Sequence, residues 1–120
     1  MNLSIIIVNY NTSYFINQTI KSVLNSNLNL EYEIIVIDNN SIDKSCDSIE
    51  KEFQGIHLIR NSKNLGFSKA VNKAVKVSRG EVVLLLNPDT IVESLTIQKL
   101  YKFLLDDENR GVIGSKIIDP

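Results

Sequence analysis

The residues best suited to bind a ligand directly follow four short apolar runs of the sequence. They are Asn9, Tyr10 and Asn11 after the first run, Asp38, Asn39 and Asn40 after the second, Asn61 and Asn64 after the third, and Asn87 and Asp89 after the fourth. Carboxylates accept hydrogen bonds and bind hard cations, whereas amides both donate and accept hydrogen bonds. If the four runs are parallel strands, their carboxyl ends share the sheet edge where α/β proteins bind ligands. The pattern therefore predicts one polar binding site at that edge.

The loop after the first run excludes two common nucleotide-binding motifs. Dinucleotide-binding folds need a glycine-rich turn at this place, and P-loop NTPases need G-x-x-x-x-G-K-[ST]. The sequence has no glycine before Gly55, so neither motif is present there. Asp89 offers another way to hold an anion, because Mg²⁺ takes one or two protein carboxylates and completes its shell with phosphate oxygens and water. We therefore expect a divalent metal, Mn²⁺ or Mg²⁺, at Asp89 and a nucleoside diphosphate as the ligand.

The elements that would carry these loops follow from the spacing of apolar residues. Short β-branched runs alternate with segments of helical period, which predicts an α/β fold with a parallel sheet covered on both faces. The predicted strands are 3–8, 33–37, 56–59 and 82–86, and helical patterns cover 16–24, 42–53, 67–78 and 94–105. Right-handed crossovers give a doubly wound sheet with the order 3-2-1-4. The fourth run is continuously apolar, which favours a central strand, and 112–118 is a candidate for one more strand.

The predicted helices also assign several side chains to the core or to solvent. In the second helix, Ile42, Cys46, Ile49 and Phe53 recur on one face. In the third, a face of Phe67, Ala70, Val71, Ala74 and Val77 lies opposite Lys69, Lys73 and Lys76. These patterns predict a buried Cys46 and a solvated row of lysines.

Composition and charge exclude several classes of protein. The 120 residues are 43% hydrophobic and 22% charged, which is typical of one ordered globular domain. A net charge of −1, with both signs scattered, gives no reason to expect a nucleic-acid partner. A single cysteine favours a reducing compartment, so we expect a cytoplasmic protein. No apolar run approaches the ~20 residues of a membrane helix, and the amino-terminal residues do not resemble a signal peptide.

Four segments together resemble the signature blocks of the family 2 glycosyltransferases. They are 4–11 (SIIIVNYN), 35–43 (IVIDNNSID), 64–67 (NLGF) with Asn72, and 84–89 (LLLNPD), in the family's order and spacing. The resemblance implies a GT-A fold, a Rossmann-like arrangement of three layers, and transfer with inversion from a UDP- or dTDP-sugar. It also implies a product that is a cell-surface polysaccharide or glycolipid. The Asn-Pro-Asp version is most similar to the bacterial rhamnosyltransferase and galactofuranosyltransferase branch.

On this resemblance, residues 1–120 form the nucleotide-sugar-binding half of a GT-A domain that is truncated at its C-terminus. The family's general base would lie beyond residue 120, so no catalytic residue is assigned and the isolated chain is expected to be inactive. The implied acceptor is a glycan or a lipid-linked glycan. The parent protein could then associate peripherally with the inner face of the membrane.

The resemblance also implies roles for individual residues. Asp38 would accept a hydrogen bond from the ring N–H of uracil or thymine, and Tyr10 would contact the base. Asp89 would bind the metal. Asn87 would contact the ribose or the metal, but it lacks the charge of the aspartate that the family carries at this position. The remaining candidates for nucleotide binding are Asn9, Asn11, Asn40, Asn64 and Gly66.

Purely structural roles compete with several of these assignments. Asn9, Asn11 and Asn64 could cap helices, and Gly66 could simply supply a positive φ. Asp43 is better explained by the dipole of the second helix than by ligand binding. Asn72 is expected to tie down the loop that carries Asn64. The lone His57, at the start of the third strand, is expected at the surface.

Two other functional classes remain open at this point. A noncatalytic α/β nucleotide-binding or interaction module would have the same build, but its ligand binding would not depend on a metal. A dinucleotide-dependent oxidoreductase would use the acid after the second strand to bind ribose, but the glycine fingerprint of that class is missing.

Overall fold

The computed structural model describes residues 1–115 and consists of four parallel strands and four helices in alternation. The elements are β1 (Leu3–Asn9), α1 (Ile16–Leu24), β2 (Tyr32–Asp38), α2 (Ser45–Glu52), β3 (His57–Arg60), α3 (Phe67–Val77), β4 (Val82–Leu86) and α4 (Thr96–Leu105). The sheet order is β3-β2-β1-β4, and all three pairings are parallel. The predicted class and strand order are therefore confirmed. Within the described part of the chain, no helix combines the length and apolar character needed to cross a membrane.

The core lies on both faces of β1 and β2, which are the two inner strands. On one face, Ile5 and Ile7 of β1 pack with buried residues of α1, α2 and α4. On the other face, Ile6 packs with Ala70 and Ala74 of α3. Side chains alternate between the faces of a strand, so a continuous apolar run such as β1 needs a helical layer on each side. The result is the expected arrangement of three layers.

The register of the sheet brings the polar ends of the strands together. Asn9 at the end of β1 pairs with Asp38 at the end of β2, and Asp38 pairs with Arg60 at the end of β3. β4 ends at Leu86, beside Ile7 of β1. All four following loops therefore leave the sheet at the same edge, as the sequence predicts.

Three predicted core positions at helix ends are wrong. Ile42 is 92% exposed, because α2 begins only at Ser45 and Ile42 belongs to the preceding loop. Phe67 and Val77 are 56% and 45% exposed at the two ends of α3, whose buried residues are Ala70 and Ala74 in its middle. Apolar periodicity identifies the face of a helix, but it does not show which turns of that face touch the sheet.

β4 is an edge strand of the described sheet and not the central strand that its apolar run predicts. Val83 and Leu85 are 37% and 49% exposed. They lie on the α3 side of the sheet, since Leu85 is in register with Ile6, and α3 packs against β1 and β2. An apolar run shows that a strand is suited to burial, but not that the described chain covers it. Residues 112–115 belong to no strand, and the rest of the candidate strand at 112–118 lies outside the described residues.

Candidate functional site

Asn9 and Asp38 form the buried centre of the polar edge. The Asn9 amide donates to Asp38 Oδ1 and to Ser45 Oγ, both at 2.8 Å. Ser41 donates twice to the same carboxylate, from its backbone N to Oδ2 at 2.9 Å and from Oγ to Oδ1 at 2.6 Å. Asn9 is 0% exposed and Asp38 is 3% exposed. Polar groups at such depth are costly unless they are paired, so this network holds the ends of β1 and β2 in one geometry.

Asn11 joins the loop after β1 to the loop after β2. Its backbone N donates to Ser41 Oγ at 2.8 Å, and its side-chain Oδ1 accepts a hydrogen bond from the backbone N of Ile42 at 2.8 Å. Its φ of 53° lies in the left-handed region, which asparagine tolerates better than most residues. Tyr10, held between Asn9 and Asn11, is 49% exposed at this edge. The side chain of Asn11 therefore binds a neighbouring loop and does not cap α1.

Asp43 adds a second link between the same two loops. One carboxylate oxygen accepts a hydrogen bond from the backbone N of Ser13 at 3.0 Å, and the other accepts from the backbone N of Ser45 at 3.1 Å. Burial raises the pKa of Asp43, but the hydrogen bonds from Ser45 and Ser13 outweigh it and hold the pKa below its ordinary value of 3.8. Asp43 thus stabilises the start of α2 in its charged form, which fits its proposed structural role.

The Asp43→Asn substitution is expected to destabilise the fold at neutral pH and much less in acid. The folded-state pKa is depressed, so the stabilisation is present above the unfolded pKa and disappears as the pH falls through the folded pKa. Urea unfolding at about pH 7 and about pH 2 measures the effect. Asp47→Asn is the control, because Asp47 is highly exposed and pairs only with Arg60 among the described residues. If the free energies of unfolding of wild type and Asp43→Asn differed by the same amount at both pH values, this role would be contradicted.

A second network joins the loops after β2 and β3 to the start of α3. Asn39 Oδ1 accepts hydrogen bonds from Asn61 Nδ2 at 3.0 Å and from the backbone N of Leu65 at 3.3 Å. Asn39 Nδ2 donates to the carbonyl of Gly66 at 3.2 Å. Lys73 completes the network by donating from Nζ to Asn61 Oδ1 at 2.7 Å. Asn39 and Asn61 are buried, so their side chains act on the loop at 64–66 from below the surface.

The prediction that Asn72 ties down this loop is wrong. Asn72 is exposed and makes no side-chain hydrogen bond within residues 1–115. Its neighbour Lys73 contacts the loop network instead, through the hydrogen bond to Asn61. The long lysine side chain reaches back along α3 to the residue that follows β3. The predicted row of solvated lysines is confirmed, since Lys69, Lys73 and Lys76 are all exposed, although Lys73 also donates this hydrogen bond.

Asn64 and Gly66 shape the entry into α3. Asn64 Oδ1 accepts a hydrogen bond from the backbone N of Gly66 at 2.8 Å. Gly66 directly precedes the helix and has a φ of 80°. A Cβ at this position would meet no atom within 4 Å, so glycine is required by the backbone conformation and not by lack of space. This confirms the expected positive φ.

The Asn87-Pro88-Asp89 turn follows β4 at the same edge. The backbone N of Thr90 donates to the carbonyl of Asn87 at 3.2 Å, which closes the turn. Asn87 and Asp89 are exposed, and their side chains make no hydrogen bond or ion pair with the other described residues. No group of three acidic, histidine or cysteine side chains in residues 1–115 is placed to hold a metal. A single free carboxylate fits a cation that takes its other ligands from a diphosphate and water.

The candidates thus form two hydrogen-bonded networks and one separate turn. The networks meet at the adjacent residues Asp38 and Asn39, while the turn at 87–89 lies on the far side of β1. Asn40 is exposed with a φ of 65°, and its side chain has no partner among the described residues.

Three further residues belong to these networks but were not predicted to do so: Ser41, Ser45 and Thr12, whose hydroxyl donates to Asn9 Oδ1. The spacing of Asp38 and Ser41 carried a usable signal, because aspartate side chains commonly accept hydrogen bonds from the backbone a few residues ahead.

Cys46 and His57 lie outside the network of candidate residues. Cys46 is 6% exposed, and burial together with the nearby Asp38 carboxylate raises the pKa of its thiol to about 12. The thiol therefore stays protonated and acts as a core residue, as predicted. His57 is exposed and begins β3, at the edge of the sheet opposite the site.

Comparisons with known proteins connect this edge to a family. The sequence model described as "Glycosyl transferase family 2" matches residues 4–119. A poly(ribitol-phosphate) beta-glucosyltransferase from Bacillus spizizenii is 29% identical over 119 residues, which cover 95% of this chain and 19% of that protein. The poly(ribitol-phosphate) beta-N-acetylglucosaminyltransferase TarP from Staphylococcus aureus is 28% identical over 118 residues, covering 93% of this chain and 36% of TarP. The chain therefore spans well under half the length of these relatives.

Solved structures share the architecture. A crystal structure of Staphylococcus aureus TarS 1-349 in complex with UDP-GlcNAc matches with a TM-score of 0.79 and 24% identity, covering 96% of this chain and 38% of that one. The mannosyltransferase PcManGT from Pyrobaculum calidifontis, in complex with GDP-Man and Mn²⁺, matches with a TM-score of 0.82 and 20% identity, covering 88% of this chain and 32% of that one. At these identities the likeness confirms the predicted fold.

Proposed function

The chain belongs to glycosyltransferase family 2, and we propose that it supplies the donor-binding part of an inverting glycosyltransferase. The observation that carries this proposal is the convergence of four loops at the carboxyl edge of one parallel sheet. Asp38 is the buried centre of that edge, and Asp89 presents a free carboxylate beside it. The ligand is a nucleoside diphosphate sugar, and the site includes a divalent cation, Mn²⁺ or Mg²⁺.

The donor that we propose is a UDP- or dTDP-sugar. Tyr10 is half exposed and offers a flat face against which a base can stack. The Asp38 carboxylate accepts three hydrogen bonds from Asn9 and Ser41, and we propose that it also accepts one from a ring N–H of the base. Uracil and thymine carry a ring N–H at N3, and guanine also carries one, at N1, whereas the pairing edge of adenine has none. The UDP-GlcNAc complex of TarS supports this choice.

Two of the candidate asparagines would act by positioning and not by touching the nucleotide. Asn9 is fully buried, and the Asn11 amide oxygen is occupied by the backbone of Ile42. We propose that these two residues fix the distance between Tyr10 and Asp38. Asn40, Asn64 and Asn87 are exposed, and we propose that they reach a ribose or a phosphate.

Tyr10→Ala is expected to lower the affinity for UDP on the order of tenfold, because stacking of a base on an aromatic ring is worth about 1–3 kcal/mol. Tyr10→Phe keeps the ring and should bind UDP nearly as well as wild type. Tyr14→Ala is the matched control, since Tyr14 lies in the same loop and is 88% exposed. Calorimetric titration measures the affinities. An unchanged affinity in Tyr10→Ala would remove Tyr10 from the site.

The metal would be held by Asp89, with Asn87 able to add only an amide oxygen. When bound, the cation neutralises charge on the departing diphosphate. With one protein carboxylate, the chain alone should bind the cation weakly and gain affinity when the diphosphate adds ligands. The coupling between metal and nucleotide must then be reciprocal.

The acceptor half of the reaction requires groups beyond those found at this edge. An inverting transfer needs a general base for the acceptor hydroxyl. No candidate residue here takes that role, and we propose that residues outside 1–120 supply it. The relatives named for poly(ribitol-phosphate) support a cell-surface polymer or a glycolipid as the acceptor. We expect the isolated chain to bind the donor without transferring its sugar.

A panel of nucleoside diphosphates tests this proposal. UDP, dTDP, GDP and ADP are titrated into the chain with and without Mn²⁺. The proposal predicts tighter binding of the two pyrimidine nucleotides and a clear gain with the metal. Equal binding of all four nucleotides without any effect of Mn²⁺ would favour a noncatalytic binding module.

A further inference from the structure

We propose that Thr19 of α1 is a positioning residue for Asp89. Its hydroxyl holds the carbonyl of Pro88 and thereby fixes the turn that presents the Asp89 carboxylate. This inference rests on the proposed role of Asp89 in metal binding. Thr19 lies in α1, outside the sequence motif at 87–89.

The hydrogen bond between Thr19 and Pro88 is short, and its donor residue is buried. Thr19 Oγ1 donates to the Pro88 carbonyl at 2.7 Å, and Thr19 is 1% exposed. A threonine within a helix commonly donates to the carbonyl four residues earlier. Here that carbonyl, of Phe15, lies at 3.4 Å, so the contact with Pro88 is the closer one. Proline has no backbone N–H, and its carbonyl is the one polar group by which Pro88 can be anchored.

Ser22 anchors the other end of the same loop. Its Oγ accepts a hydrogen bond from the backbone N of Val92 at 3.1 Å and donates to the carbonyl of Thr19 at 2.7 Å. Residues 88–92 are therefore attached to successive turns of α1 at both ends. Asp89 lies between these two anchors, and its side chain makes no hydrogen bond with the other described residues.

The position of this turn matters because the site offers a single carboxylate. A site with several protein ligands can fix a cation even when one ligand moves. At Asp89 the position of the carboxylate depends on the backbone that carries the residue. Mutation of a residue that hydrogen-bonds a metal ligand typically changes metal affinity 10–100-fold. The hydroxyl of Thr19 is the buried side-chain group that contacts this backbone.

The packing of α1 does not require the Thr19 hydroxyl. Ile16, Ile20 and Val23 are each 0% exposed and hold the helix against the sheet. Replacing the hydroxyl with a methyl group keeps the branched shape of the side chain. A variant without the hydroxyl should therefore keep the fold but lose the hydrogen bond that fixes the turn at 87–89.

The test compares Thr19→Val with Thr19→Ser and with Thr96→Val. Thr19→Ser restores the hydroxyl, and Thr96→Val makes the same chemical change at the start of α4, where the hydroxyl has no hydrogen-bond partner among residues 1–115. One readout is the gain in UDP affinity caused by Mn²⁺. The other is hydrogen exchange of the Thr90 and Val92 amides without any ligand, which reports on the turn itself.

In Thr19→Val we expect the Mn²⁺ gain to fall on the order of tenfold, the lower end of the effect of an outer partner of a metal ligand, and both amides to exchange faster. Thr19→Ser and Thr96→Val should match wild type in both readouts. A Thr19→Val variant with wild-type exchange and a wild-type Mn²⁺ gain would overturn the inference. A wild-type chain that binds UDP without any Mn²⁺ gain would instead overturn the metal site at Asp89, and with it this role of Thr19.

Discussion

Replacing Gly80 with alanine is expected to lower the free energy of unfolding by about 3 kcal/mol, at the upper end of the usual cost of overpacking. A Cβ at Gly80 would lie 2.4 Å from the backbone N of Ser4 and 2.6 Å from the carbonyl carbon of Leu3. Both atoms belong to β1, which is hydrogen-bonded on both sides by β2 and β4. The backbone of an inner strand cannot move aside without disturbing its two neighbours. The Gly80 N also donates to Ser4 Oγ at 2.8 Å, so the added carbon would break a contact as well as create a clash.

Urea unfolding of Gly80→Ala and Gly111→Ala measures this effect. Gly111 is the matched control, because a Cβ there would meet no atom within 4 Å. We expect Gly111→Ala to unfold like wild type or at slightly higher urea, since alanine restricts the unfolded chain. Equal free energies of unfolding in the two variants would contradict the close contact between Gly80 and the backbone of β1.

Asp89→Ala is expected to abolish the gain in UDP affinity that Mn²⁺ produces, a loss of at least about tenfold, since disturbing even an outer partner of a metal ligand costs that much. Asp89 is the exposed carboxylate of the turn after β4, and Asn87 beside it carries no charge. Without Asp89, the cation would retain only weak contacts with neutral oxygens of the chain. Tyr10 and Asp38 belong to the β1 and β2 loops, so binding of UDP without metal should persist in the variant.

Glu81→Ala is the control for this measurement. Glu81 directly precedes β4, is exposed and carries the same charge, but it lies at the opposite edge of the sheet. The loss of one negative charge from the chain should therefore leave the Mn²⁺ gain unchanged. If Asp89→Ala kept the Mn²⁺ gain of wild type, Asp89 would be a turn residue without a role in metal binding.

The sheet could be predicted from the sequence because its signals are local and repeated. β1 is continuously apolar over 5–8 and the parallel β2 over 34–37, and the intervening helical patterns leave room for right-handed crossovers. The errors occur where the outcome depends on contacts between elements. Ile42 continues the helical period of α2 in sequence, but α2 begins after it. Val83 and Leu85 have the apolar character of buried residues, but α3 packs over β1 and β2 instead.

The candidate site was predictable in location but not in its internal contacts. The residue types after each strand, together with the parallel order, were enough to place Asp38 and Asp89 at one edge. Sequence alone could not show that Asn9 is fully buried against Asp38, or that Lys73 and not Asn72 reaches Asn61. Such contacts depend on side-chain length and direction across elements that are far apart in the chain.

Amide NMR during a titration with UDP and Mn²⁺ tests whether a pyrimidine nucleoside diphosphate binds at the carboxyl edge of the sheet. We expect shifts at Tyr10, Ser41, Gly66 and Asp89, which lie in the four loops of that edge. The amides of Gly55 and Gly80, which precede β3 and β4 at the opposite edge, should stay unchanged. Shifts confined to the opposite edge, or no shifts at saturating UDP, would contradict binding of the nucleotide at this edge.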